Sequence, residues 1–114
     1  MQLFQDLVAA VLAEAAGLWA AAGLAHDQAL PALLPLTRGA LDTAAARGLA
    51  GAVSGPVARG DTGVLARHFD ALAGAGLDAD LLTALLKRQL MLAQQAGRLD
   101  AAQVTAVLQA LSEG

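Results

Sequence analysis

The chain has 114 residues, of which 57% are hydrophobic, 15% charged and 3% aromatic, a length that suits one helical domain over residues 1–114 and excludes two substantial cores. Its 30 alanines and 23 leucines, with few β-branched or aromatic residues, point to an all-α fold without a sheet. A net charge of -3 with no Lys/Arg-rich run leaves no positive field for a nucleic-acid partner, and the lack of cysteine removes disulfides, thiolate nucleophiles and cysteine metal sites and fits a reducing, cytoplasmic setting.

The first element, around "LVAAVLAEAAGLWAAAGLA" (7–25), is nearly long enough to span a bilayer. It contains Glu14, and no Lys or Arg precedes Arg38, so the basic flank of a signal peptide or membrane span is missing. Phe4, Leu7, Val8, Val11, Leu12, Ala15, Leu18, Trp19 and Ala22 recur at three- and four-residue steps, which predicts a core or interface helix rather than a membrane segment.

Gly23 ends that helix, and Asp27 is placed to cap a second one running to about Gly48. Pro31 falls in its first turn, whereas Pro35 lies deeper and is expected to kink it. A loop from Leu49 to Gly60 follows. Asp61 then caps a short helix to about Ala73, Asp78 caps another that stops at Gly97, and Asp100 caps a last one with Val104, Val107, Leu108 and Leu111 on one face. The expectation is about five helices, with no repeat at solenoid spacing.

Motifs are sparse. "GAGLDA" (74–79) has the letters of a dinucleotide-binding fingerprint, but a helix precedes it where that fingerprint needs a strand, so it reads as a helix end and turn. No cofactor is therefore expected to bind this chain. His26 and His68 cannot make a metal cluster alone, and Ser54 and Ser112, the only serines, have no base placed beside them. His68 falls between Val64 and Leu72 on the apolar face of its helix. It is either a satisfied core or interface histidine or a substrate-facing one.

The loop "SGPVARGD" (54–61) gathers glycine, proline, a cation and a carboxylate. Gly55 and Pro56 make a tight turn, Gly60 supplies a backbone conformation other residues avoid, and Asp61 starts the next helix. Only Arg59 is left over. A structural turn accounts for the loop, and so does an anion site built from Arg59 and the helix start. In the second case Arg59, Arg38 and His68 should converge on one concave surface.

The segments "LLPLTRGALD" (33–42) and "AVSGPVARGDTGVLARHFDAL" (52–72) resemble the helical C-terminal domain of an uncharacterised family of Rossmann-type NAD(P)-binding oxidoreductases. That family is itself similar to pyrroline-5-carboxylate reductases and 6-phosphogluconate dehydrogenases. The resemblance covers nearly the whole chain. It implies a 6-phosphogluconate-dehydrogenase-like helical domain that pairs with a second copy and closes a substrate cleft over a separate nucleotide domain, which would hold NAD or NADP. Thr37, Arg38, Ser54, Arg59 and His68 are then the candidate substrate-binding positions, and Gly55, Pro56, Gly60 and Asp61 the structural loop and cap. Against that resemblance two departures are expected: the chain begins inside the first helix, without the βαβ nucleotide domain, and its start "MQLFQD" lacks the histidine and the Ser-Asn pair of the family, Gln5 and Asp6 standing about where that pair would be.

Three functions follow as expectations. The chain is the dimerising, cleft-forming domain of an NAD(P)-dependent oxidoreductase, with its nucleotide domain supplied in cis or trans; or a stand-alone dimerisation or scaffold module; or, least favoured, a membrane-associated helical protein.

Overall fold

The computed structural model describes residues 2–113, apart from the side chains of His26 and Glu113. Six α-helices and one 3-10 turn are found among the described residues, and no strand. The chain is all-α, as its alanine and leucine content dictates. The helices are α1 (Gln2–Ala21), α2 (Ala29–Ala52), α3 (Pro56–Arg59), α4 (Thr62–Gly74), α5 (Asp80–Gln95) and α6 (Ala101–Glu113), with the 3-10 turn at His26–Gln28 before α2. The helix beyond the five expected is α3, a single turn too short to show a period.

Helix ends follow local chemistry. α1, α4 and α5 close with the same six-residue backbone bond: Leu24 N–H donates to the Trp19 carbonyl (3.3 Å), Leu77 to Leu72 (3.0 Å) and Arg98 to Ala93 (3.1 Å). In each case the glycine between has a positive φ, the Schellman arrangement that satisfies the last carbonyls of a helix. α6 opens with a reciprocal capping box, in which the Asp100 carboxylate accepts from Gln103 N–H (2.8 Å) and the Gln103 side-chain oxygen accepts from Asp100 N–H (2.9 Å). Asp78 accepts from Asp80 N–H (2.8 Å) at the start of α5.

One break falls elsewhere than expected. α2 carries Pro35 in its interior, but the non-helical torsions lie at Gly48 (φ 76, ψ 170). Proline removes one hydrogen bond while keeping a helical φ, whereas glycine at a positive φ turns the chain itself. The helix thus reaches Gly48 as predicted, and one more helical turn follows before the loop.

The chain divides into two compact units, Met1–Asp42 and Thr43–Gly114. The second holds a core. Val57 and Ala58 of α3, Leu65, Phe69 and Leu72 of α4, Leu86, Leu90 and Ala93 of α5, and Val107 and Leu111 of α6 are all buried. α3 packs on α4 and α5, and α6 packs on α4 and α5. At 100° per residue the buried arc of α4 is centred on Leu65, Phe69 and Leu72, which leaves His68 about 70° from its centre. His68 is exposed, so the expectation of a histidine near the middle of the apolar face is corrected.

The first unit is different. Ala29 is the one buried residue among those described there, and none of α1 is buried. Of the two expectations for α1, a core or an interface helix, the first is therefore overturned. Its stripe is exposed, with Phe4 and Leu7 at 57%, Val11 at 48% and Val8 at 36%. By length and composition α1 is also long and apolar enough to cross a membrane.

Candidate functional site

The loop "SGPVARGD" folds into a wedge of the second unit. Pro56 occupies the first helical position of α3, where its missing N–H costs nothing and its fixed φ starts the turn. The next two residues, Val57 and Ala58, point into the core, at 0% and 4% exposure. Gly60 then reverses the chain with φ 67, ψ 28, and its N–H closes on the carbonyls of Pro56 and Val57. A Cβ at Gly60 would stand 3.5 Å from Gln103 Nε2 and 3.6 Å from Leu99 Cδ2, ordinary contact distances. The left-handed backbone, rather than crowding, is what requires glycine here. Asp61 follows as the cap of α4, its carboxylate accepting from Val64 N–H at 3.1 Å. Gly55, Pro56, Gly60 and Asp61 thus take the structural roles that their residue types suggest.

Arg59, left over in the sequence, bends back on its own loop. Its Nη1 donates to the Ser54 carbonyl at 3.0 Å, and the side chain stays exposed. A second arginine does the same from outside the loop: Arg98 Nη1 donates to the carbonyl of Val53. Two consecutive carbonyls, with no helical partner of their own, are thereby held by guanidinium groups, which make stronger bonds than neutral donors. Arg98 was not a candidate from the sequence. It stands 45 residues from Val53 in the chain, and only folding joins α5's end to the loop.

The remaining candidates belong to different elements. Ser54 is exposed beside Arg59, and His68 is exposed on α4. Thr37 and Arg38 belong to the first unit, whereas Ser54, Arg59 and His68 belong to the second. Thr37 lines an apolar groove with Phe4, Leu7, Val8 and Val11 of α1 and Leu36 of α2. Its hydroxyl already donates to the Leu33 carbonyl at 2.8 Å, the bond back along the helix that threonine commonly makes. Arg38 is exposed.

The second unit also carries a groove of about 570 Å³ between α4 and α6, floored by Gly63, Ala66 and Phe69 on one side and Ala106 and Ala110 on the other, with Asp70 at its edge. The small side chains of Gly63, Ala66, Ala106 and Ala110 leave this space open between the two helices. Neither Arg59 nor His68 lines it. No group of three His, Cys, Asp or Glu able to hold a metal ion occurs among the described residues.

Neither the curated proteins nor the solved structures yield a match to this chain. A family profile does match, described as a domain of unknown function (DUF2520), over residues 3–88. The matched region takes in both units' share of α2, the whole wedge loop and the caps of α4 and α5, and it ends before Arg98. Since it covers well over half of the 114 residues, the chain belongs to the DUF2520 family.

Proposed function

We propose that this chain is the dimerising, substrate-cleft-forming helical domain of an NAD(P)-dependent oxidoreductase, with no catalysis of its own. The observation that carries the reading is the wedge loop. The same "SGPVARGD" that resembles the C-terminal helical domains of such enzymes is anchored by Val57 and Ala58 in the core and keeps Ser54 and Arg59 at the surface. An arginine on a rigid turn is suited to a small anionic substrate, because its planar donors are already oriented when the ligand arrives. On this reading Ser54, Arg59 and His68, and likewise Thr37 and Arg38, are the candidate substrate-binding positions. NAD or NADP belongs to a separate nucleotide domain, and the enzyme works as a cytoplasmic homodimer.

The second reading is a helical dimerisation or scaffold module without a redox role. It is favoured by the bond from Arg59 to the Ser54 carbonyl, which gives that side chain a structural task. The DNA upstream of the frame separates the two. A βαβ unit with its glycine motif, in frame, is the expected result, and its absence from both the frame and a co-transcribed neighbour would leave the module.

A further inference from the structure

We infer that Arg59 and Arg98 together form a binding site for the phosphate group of a small phosphomonoester, with Ser54 and Gln103 as its neutral donors. The inference rests on the reading of Ser54 and Arg59 as substrate-binding positions, adds Arg98 and Gln103 to them, and names the class of substrate. Arg98 and Gln103 lie beyond the residues that the family profile matches, so the pairing comes from the fold and not from the resemblance.

The fold brings the two arginines to one place. Arg59 Nη1 donates to the Ser54 carbonyl at 3.0 Å, and Arg98 Nη1 donates to the carbonyl of Val53. Those two oxygens belong to adjacent residues, whose Cα atoms stand about 3.8 Å apart, although Arg98 is 45 residues from Val53 in the chain. A second contact ties the same two segments. A Cβ at Gly60, the neighbour of Arg59, would stand 3.6 Å from Cδ2 of Leu99, the neighbour of Arg98, and 3.5 Å from Gln103 Nε2. All of these residues belong to the second unit, and both arginine side chains are exposed. Two guanidinium groups therefore face solvent at one junction, where the wedge loop meets the turn between α5 and α6.

Neither cation is neutralised there. Each arginine is followed two residues later by an aspartate, Asp61 or Asp100, and both carboxylates are turned to helix starts instead. Asp61 accepts from Val64 N–H at 3.1 Å and Asp100 from Gln103 N–H at 2.8 Å. Among the described residues each guanidinium bonds to its carbonyl alone. A guanidinium carries five N–H donors, so the anchored one fixes the group while the others stay available to a ligand. Gln103 spends its side-chain oxygen on Asp100 N–H, which leaves its amide hydrogens as donors, and the Ser54 hydroxyl at the exposed mouth of the loop adds another. One arginine fork and one positive charge suffice for a carboxylate. Two forks and two charges match a phosphomonoester, which carries about 1.5 to 2 negative charges at pH 7 and three terminal acceptor oxygens. A polyphosphate chain is disfavoured, because the protein as a whole is acidic, at -3, and has no Lys/Arg-rich run to follow it.

The test is an NMR titration of the isotope-labelled full chain with sodium phosphate, followed through the arginine Nε–H signals at low ionic strength, where exposed charges are least screened. The Arg59 and Arg98 signals should shift together and saturate in the millimolar range, as an exposed site allows. Arg59→Ala and Arg98→Ala should each weaken binding about tenfold. Arg88→Ala removes the same charge from an exposed position on α5 and should leave binding unchanged. Sodium acetate should bind about tenfold more weakly than phosphate. Glycerol 3-phosphate should bind as phosphate does, and NADP, whose 2′-phosphate has the same chemistry, no tighter. The titration of the unmodified chain decides the matter even if an arginine variant fails to fold. No saturation up to tens of millimolar, a loss in Arg88→Ala as large as in Arg98→Ala, or acetate binding as well as phosphate would each overturn the inference. NADP binding more tightly than glycerol 3-phosphate would overturn it too, by giving the phosphate to the cofactor. Phosphate binding with no nucleotide domain upstream leaves the site standing and removes the redox reading; a nucleotide domain without phosphate binding does the reverse.

Discussion

Arg59 and Arg98 look alike in the sequence, as exposed cations near glycines, yet both are tied to backbone oxygen in the fold. Each bond is solvent-exposed, so each contributes at the lower end of what a hydrogen bond to a charged donor is worth. The wedge depends more on what it buries. Val57 is fully buried, and truncating it leaves a cavity in the core of the second unit. Val57→Ala should therefore cost about 2 kcal/mol, Asp61→Ala about 1 kcal/mol through loss of the α4 cap, and Arg59→Ala less than about 1 kcal/mol. Urea unfolding of the three variants gives the order directly, and an Arg59→Ala loss as large as that of Val57→Ala would mean that the loop is held from its surface rather than from its core.

Elements, in contrast to single contacts, were largely legible from the sequence because their ends are local. Asp61, Asp78 and Asp100 bond amides two or three residues away, and the glycines after α1, α4 and α5 sit where a helix must stop. The features that sequence reasoning missed depend on distance. α3 is a single turn with no period to detect, and its burial is decided by α4 and α5. Arg98 reaches Val53 only after the second unit has closed. His68 shared a face with Val64 and Leu72 on paper, but the direction of the core, set by α3 and α6, lies toward Leu65 and Phe69. At the level of the element, two glycines with the same residue type should behave oppositely. Gly60→Ala places a Cβ on a left-handed backbone at φ 67 and should destabilise by about 1–2 kcal/mol. Gly17, inside α1 with nothing within 4 Å of a built Cβ, should gain helix stability of about 0.5–1 kcal/mol on replacement by alanine. Thermal melts followed by circular dichroism measure both, and a stabilised Gly60→Ala would show that the turn tolerates another backbone path.

The whole molecule divides its labour unevenly: every buried side chain described, apart from Ala29, belongs to the second unit. That unit has helix-on-helix packing through four elements, satisfied helix ends, and a loop wedged into its core. It contains what a small domain needs to fold without help. Its core positions are sensitive ones, and Leu65→Ala, at 1% exposure, should cost about 2–5 kcal/mol, whereas Leu7→Ala in α1 removes no core contact. A fragment of residues 43–114 should accordingly give a cooperative, helical melt by circular dichroism. Residues 1–42 alone should show no such transition, since α1 has no buried residue to make its unfolding cooperative. The family resemblance enters at this scale as well, because a strand-glycine-helix unit is what grips a dinucleotide and "GAGLDA" here joins α4 to α5. Calorimetric titration of the 114-residue chain with NAD or NADP should give no saturable heat. Binding at micromolar concentrations would move the nucleotide site onto these helices and would require a new account of the α4–α5 turn, while silence from the chain and saturable heat once an upstream nucleotide domain is joined to it would assign the two tasks, cofactor and cleft, to different parts of one enzyme.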